Sequence, residues 1–419
     1  MRALAIGLFC SCLLLGCDAG QSALPTDDAA QRGPDFSAHL QHISGFGASS
    51  AWTLPAASDE LADSFFSVEN GIGLSLLRVR ITPSGTTDEL VTAQKALARG
   101  ASVWAAPWSP PGEWKSGGSA ANPLWGGKLL PERYDDWANR LASFVSSLRD
   151  AGVPLLALSA QNEPTWVAQW ETSVWTPSEL AGFVRDHLGP ALANAGVPTP
   201  ILAPESNDWN SLASFADALL EDPDIVDLIG PVATHSYGGS AYAYATPARY
   251  GKELWQTEIS EDESTGMNAA LTVAEMIQTH LTVAGVSAWH YWWLVPAAKT
   301  GALTVDGNLT RTAYALGNFA RFVRPGFVRV RAPASPAPQV KLTAFTLPDS
   351  GRSVLVLVNS GVERSFELPL LNTAVTRFVP HTTSEDLSLA EGAPITRTGD
   401  SLTLTLPARS VTTLVGNPD

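Results

Sequence analysis

From residue 43 onward, short apolar runs alternate with longer segments whose apolar positions recur every three or four residues. That is the pattern of strands followed by amphipathic helices in a parallel sheet. The runs predict strands over 43–48, 74–81, 102–108, 155–161, 200–203, 228–235, 254–258 and 288–294. The amphipathic segments predict helices over 88–99, 134–150, 177–195, 211–220 and 267–284, and a last one over 312–323 that ends before Pro325. Thr176-Pro177 supplies an N-cap followed by proline at the first helical position, and Ala151-Gly152 and Ala195-Gly196 supply C-terminal stops. Eight strands, each leading into a helix or connection, predict an α/β fold of the closed (β/α)8 TIM-barrel type. The alternative is an open doubly wound sheet, but no glycine-rich dinucleotide fingerprint follows the first strand, so the barrel is preferred.

After Pro325 the period changes. Segments 327–331, 340–347, 353–359, 364–368 and 402–406 alternate apolar and polar residues, with Asp349-Ser350-Gly351 and Ser360-Gly361 as punctuation and no helical pattern between them. They predict an antiparallel β side domain over 326–419, attached to a barrel domain over 36–325. The other end of the chain reads as a targeting segment. Met1-Arg2 precedes an apolar run over 3–15, too short for a membrane span. Leu14-Leu15-Gly16-Cys17 is similar to the lipobox of bacterial lipoproteins, so 1–17 is expected to be a signal peptide and 18–35 a polar tether. Leu15 stands where a small residue is usual, which keeps plain secretion open. The reading is a bacterial protein, secreted or held at the cell surface, that meets membrane only through a lipid on Cys17. A monomer is expected. All three cysteines (Cys10, Cys12, Cys17) fall in that leader, so no disulfide is expected in the mature domains.

Composition narrows the function. With 45% hydrophobic and 16% charged residues the chain has the makings of a packed core. A net charge of −15 argues against a nucleic-acid partner, which needs Lys and Arg to displace counterions from phosphates. Fourteen tryptophans can pack in cores or offer flat faces to sugar rings, so their positions decide their meaning.

In (β/α)8 proteins chemistry sits at the C-terminal ends of the strands. The fourth predicted strand runs into Gln161-Asn162-Glu163-Pro164, and the seventh ends in Gln256-Thr257-Glu258. Pro164 is expected to hold Glu163 extended, with its carboxyl at the barrel mouth. Two carboxyls at one mouth suit glycoside hydrolysis with retention, in which one acid protonates the leaving oxygen while the other attacks the anomeric carbon. Either acid alone would read as a solvated loop residue; the paired strand-end placement is what argues otherwise.

These motifs form an ordered series with Gly45-Phe46-Gly47-Ala48, Leu77-Arg78-Val79-Arg80, Ala106-Pro107-Trp108-Ser109-Pro110-Pro111, Ala203-Pro204-Glu205-Ser206, His235-Ser236-Tyr237-Gly238 and Phe322-Val323-Arg324-Pro325-Gly326. The series resembles glycoside hydrolase family 30 of clan A, and within it the bacterial endo-xylanase branch. The resemblance implies Glu163 as acid/base, Glu258 as nucleophile, and a strand over 36–42 that joins the side domain. It implies that Arg78 pairs with the nucleophile and that Asn162 holds a sugar 2-hydroxyl. It places His235 and Tyr237 at the end of strand six, and Trp108, Trp292 and Trp52 around the reacting sugar. No cofactor or metal is implied. The seven histidines are dispersed along the chain, which argues against a metal-dependent hydrolase.

Blander readings stand beside these. Arg78 could be an ordinary partner of a barrel acid, and His235 a hydrogen-bonded residue with no catalytic step. Trp104 and Trp289 precede the strand ends and are read as core. Trp166, Trp170 and Trp175 are either rim aromatics or packing. Glu205 is a candidate supporting acid, and Glu261, Asp262 and Glu263 a solvated charge run. The branch often reads a glucuronic acid side group through an Arg after strand eight. Here 294–300 carries only Lys299 as a cation. The expected activity is therefore an endo-β-1,4-xylanase without strict glucuronic acid dependence. The alternatives are an endo-β-1,6-galactanase or β-1,6-glucanase, or a non-catalytic glycan-binding lipoprotein.

Overall fold

The computed structural model describes residues 32–53, 56–119, 121–296 and 301–418. The leader with Cys17, nearly all of the tether, and Lys299 lie outside the described residues. Eight parallel strands follow in sequence: Gly45–Ser49, Leu76–Ile81, Ser102–Pro107, Leu155–Ser159, Ile201–Leu202, Val232–His235, Leu254–Glu258 and Ala288–Trp293. The first pairs with both the second and the eighth. Between the fifth and sixth, single bridges Ile201–Ile229 and Ser206–Thr234 close the ring. The result is a (β/α)8 barrel.

Its interior is filled by large residues set against small ones. Trp104, Trp108 and Trp255 project inward among Ala106, Ala157, Ala233 and Ala288, so the barrel is a packed core with no central pore. Trp289, one register position away from the inward face, points out among the helices, and its indole N–H donates to His280 Nδ1. Both Trp104 and Trp289 are buried, as the sequence suggested.

The outer helices start where their capping residues allow. Thr176 makes a capping box with Glu179 at the helix Pro177–Phe183, and Asp208 caps Trp209–Leu220. Gly152 and Gly196 adopt the left-handed conformation that terminates the helices before them. Two helices had no clear periodic signal: the eight-residue Asp59–Phe66, capped by Ser58, and the single turn Thr246–Arg249.

The strand Asp35–His42 leaves the barrel and pairs antiparallel with Val328–Arg331. It forms one edge of a sheet that continues through Val340–Leu347, Arg352–Asn359, Ser410–Gly416 and Arg377–Thr383. Alternation along Arg352–Asn359 explains how this sheet can be covered on both faces. Val354, Val356 and Val358 face the barrel helices, while Leu355 and Leu357 face a second core closed by the ribbon Arg364–Pro369 and Ser401–Leu406. Each such valine or leucine contributes about 1.5–3 kcal/mol of burial. A polar clasp fixes the seam. Asn318, on the last barrel helix, donates from Nδ2 to His381 O at 2.9 Å and Thr413 Oγ1 at 3.0 Å.

Candidate active site

The strand ends converge on a cleft of about 820 Å³ at the C-terminal mouth of the barrel. Glu163 lies just past the fourth strand and Glu258 is the last residue of the seventh. Both are nearly buried, and their nearest carboxylate oxygens lie within 4.8 Å of each other. That proximity is the spacing of retaining glycosidases; inverting enzymes keep their carboxyls roughly 6.5–9.5 Å apart to admit a water.

Glu163 does not have the extended backbone expected from Pro164. Its φ is +48°, in the left-handed region, as are those of Glu205 at +54° and Trp52 at +56°. Backbone hydrogen bonds, one of them to a neighbouring strand end, override the preference of a residue before proline. Glu163 N–H donates to Glu205 O at 3.0 Å, and Trp166 N–H donates to Glu163 O at 3.0 Å, closing a turn that lifts the carboxyl into the cleft. Left-handed backbone at a non-glycine residue costs on the order of 1–3 kcal/mol and gathers at functional sites.

Behind the two acids lies a buried charge cluster. The guanidinium of Arg78 is bonded to the carboxylate of Glu258, pairs with Glu205 Oε1 at 2.6 Å, and donates to Asn162 Oδ1. It lies 4.4 Å from the ring centroid of Trp108. His235 Nδ1 is 3.0 Å from Glu163 Oε1, and its Nε2 is 3.4 Å from Glu205 Oε1 and 3.7 Å from Glu258 Oε2. Tyr237 keeps its ring open to the cleft while its hydroxyl donates to Glu258 Oε1 at 2.9 Å. Asn162 Nδ2 approaches Glu163 Oε2 at 3.5 Å.

Trp52, Trp108 and Trp292 form one aromatic wall, with ring centroids 5.0–6.0 Å apart. Trp166 and Trp170, each about half exposed, also line the cleft, whereas Trp175 is buried against Tyr134 and Phe183. The three tryptophans after Glu163 thus divide into two rim aromatics and one packing residue. Of the acidic run, Asp262 lines the cleft; Glu261 accepts from the backbone of Glu263 and Ser264. All nine residues singled out from the sequence (Glu163, Glu258, Arg78, Trp108, Asn162, His235, Tyr237, Trp292, Trp52) gather at this mouth. Arg78, Asn162 and His235 stand behind the carboxylates rather than on the open wall. Ser159, whose hydroxyl donates to Glu205, is a member the sequence did not single out; its only signal is its place at the end of the fourth strand.

A family model, the Glycosyl hydrolase family 30 TIM-barrel domain, matches residues 87–246. The glucuronoxylanase XynC of Bacillus subtilis is 31% identical over 429 aligned positions, which take in 96% of this chain and 97% of that protein. The chain belongs to glycosyl hydrolase family 30.

Among solved structures, the family 30 subfamily 8 xylanase Xyn30A of Clostridium acetobutylicum superposes with a TM-score of 0.83 at 31% identity, over 92% of this chain and 98% of that one. An endo-1,6-β-D-glucanase of Neurospora crassa is 26% identical over 335 positions, 73% of this chain and 69% of that protein. This family 30 member is a retaining glycoside hydrolase whose substrate is a carbohydrate.

The electrostatics of the family 30 site follow from its burial. Burial alone would depress His235, but Glu258, Glu163 and Glu205 hold the imidazole up at about 9. Those carboxyls thus favour the protonated imidazole, in which both ring nitrogens are donors. Burial pushes Glu258 above the ordinary carboxylate range, while His235 and Arg78 pull it back. Burial also opposes the charge on Glu205, but Arg78, His235 and Ser159 hold that carboxyl below its usual value. Two cations thus face three carboxyls, so the cluster balances when one carboxyl carries a proton. Among the described residues, Glu163, His235 and Glu258 are the one trio with metal-ligand proximity. A protonated imidazole has no lone pair for an ion, which favours acid–base use of the same atoms.

Proposed function

We propose that this enzyme is an endo-acting β-1,4-xylanase that does not require a glucuronic acid side group. The observation that carries the second part is the charge of the cleft. Its charged lining residues, among those described, are Glu163, Glu258, Asp208 and Asp262, all carboxylates. A uronate held there would face like charge instead of the bidentate cation that planar carboxylates favour. The first part is supported by the xylan-cleaving relatives and by aromatic walls suited to a neutral sugar chain.

In the mechanism we assign, Glu163 donates its proton to the glycosidic oxygen as the bond to the anomeric carbon breaks. Glu258 attacks that carbon from the opposite face and forms a glycosyl ester. Water then attacks the same anomeric carbon, giving a proton to Glu163 as the bond from that carbon to Glu258 breaks and the carboxylate is released. Arg78 and Tyr237 stabilise the departing Glu258 carboxylate, and Glu163 is the carboxyl that Arg78 does not bind, which suits the protonated role. Asn162 Nδ2 is the donor for the sugar 2-hydroxyl. Trp52, Trp108 and Trp292 hold the reacting sugar; Trp166 and Trp170 stack on the leaving portion. The enzyme works outside the cell as a monomer, secreted or tethered through Cys17.

Reducing-sugar release from linear xylan, glucuronoxylan, β-1,6-glucan and β-1,6-galactan tests the reading. The expected result is release from both xylans at comparable rates. No release from either xylan would reject it, and release confined to a β-1,6-glycan would transfer the assignment to that linkage.

A further inference from the structure

Glu89 immediately precedes the helix Leu90–Ala98 and is 2% exposed, yet its side chain caps nothing in that helix. The carboxylate turns instead toward the barrel mouth. Its Oε2 accepts from Ser50 Oγ at 3.0 Å and from Arg80 N–H at 2.9 Å. These donors belong to the ends of the first two barrel strands. Ser50 N–H donates to Arg78 O at 3.0 Å, and Thr53 N–H donates to Ser50 O at 2.9 Å, so residues 50–53 form a tight turn. Trp52 lies within it at φ +56°, a conformation that a bulky residue keeps only when its surroundings enforce it. The ring that this turn presents stands 5.0 Å from Trp108 and 6.0 Å from Trp292. Its other neighbour, the Arg80 guanidinium, lies 5.0 Å from the ring and is clamped to Glu171, with Nε 3.0 Å from Oε2.

We infer that Glu89 is a positioning residue for the substrate cleft: its buried carboxylate fixes the turn at 50–53 and so holds the Trp52 ring in the wall that receives the sugar. This rests on the reading that Trp52 walls a sugar subsite. Glu89 itself touches no part of the cleft; it acts through the hydroxyl of Ser50, the residue that opens the turn carrying Trp52. Two donors, the Ser50 hydroxyl and the Arg80 N–H, converge on one oxygen, which is why a carboxylate rather than an amide suits the position. Burial pushes that carboxyl up to about 7, against the pull of the Arg80 N–H and the Ser50 hydroxyl. A group kept under that strain beside a cleft is a candidate for function.

A double-mutant cycle on the full chain separates positioning from plain stability, with kcat and KM measured on xylohexaose and thermal melting recorded for each variant. Trp52→Ala is expected to raise KM about tenfold by removing the ring. Glu89→Gln, which sets an NH2 group among donors, is expected to raise KM about three- to tenfold with kcat within about twofold. If Glu89 acts through Trp52, adding Glu89→Gln to Trp52→Ala leaves KM at the value of Trp52→Ala alone. Ser50→Ala, which removes a single donor, completes the same cycle if Glu89→Gln does not fold, with an expected rise of about two- to threefold. A multiplicative double variant, or a single variant with unchanged KM, overturns the inference while leaving the xylanase reading intact. If Trp52→Ala itself leaves KM unchanged, Trp52 is not a subsite wall, and both that assignment and the inference fall.

Discussion

Replacing Arg78 by Lys retains the charge and removes the geometry, which makes it the sharpest probe of the buried cluster. The guanidinium serves Glu258, Glu205 and Asn162 together while lying against the face of Trp108. An ammonium on a flexible stem can satisfy one of these acceptors well. Two charge-assisted hydrogen bonds are then lost, each contributing roughly 1.5–3 kcal/mol, and water or the remaining donors recover part of that sum. A net loss of about 3–4 kcal/mol corresponds to a fall in kcat/KM of roughly 100- to 1,000-fold. The pH profile supplies a second signature. Burial raises Glu258 and Arg78 is one of two cations that oppose the rise, so weakening Arg78 lets the carboxyl rise further. The anion is then lost at a higher pH, and the acid limb of kcat/KM moves toward neutrality. The assay is kcat/KM for an aryl xylobioside across pH, with thermal melting to confirm that the variant is folded. A folded Arg78→Lys enzyme within threefold of wild type, with an unmoved acid limb, would refute the role assigned to Arg78.

Two further outcomes follow from the same cluster. Glu163→Ala should abolish xylan cleavage but retain measurable turnover of an activated aryl glycoside, and azide should restore the rate by forming a β-glycosyl azide. Failure of azide to rescue would remove Glu163 from the acid/base position. His235 is raised from 6.5 to about 9 in the fold, so the stability it contributes is fully present below about 6.5 and is lost as pH rises through about 9. Denaturant titrations of wild type and His235→Gln at pH 6, 8 and 10 should therefore converge as pH increases; parallel behaviour would show that His235 is neutral throughout.

Much of the fold was legible because the barrel elements repeat two simple periods. The strand-end glutamates stood out because Asn162-Glu163-Pro164 and Thr257-Glu258 terminate apolar runs where barrel chemistry occurs. What was illegible depends on contacts distant in sequence. The left-handed backbone of Glu163 is set by Glu205 O on the neighbouring strand end, which overrides the local influence of Pro164. The strand Arg377–Thr383 contains Pro380, which demotes it on local grounds, yet its residues 379–383, Pro380 included, pair in register with 411–415. Glu89 carries no local signal, because its donors, the Ser50 hydroxyl and the Arg80 N–H, arrive from the ends of two barrel strands. Asp59–Phe66 is too short for its periodicity to be read against background.

Glu258 is assigned a covalent bond to the sugar, and trapping that bond is the sharpest test of the mechanism. A 2-deoxy-2-fluoro xylobioside with an activated leaving group slows breakdown of the ester more than its formation, so the intermediate should accumulate and be seen by mass spectrometry of the digested enzyme. One added glycosyl unit is expected on the peptide containing Glu258, with the β-anomer as the first product of ordinary turnover by NMR. A label on another residue, or an α-anomer formed first, would contradict it.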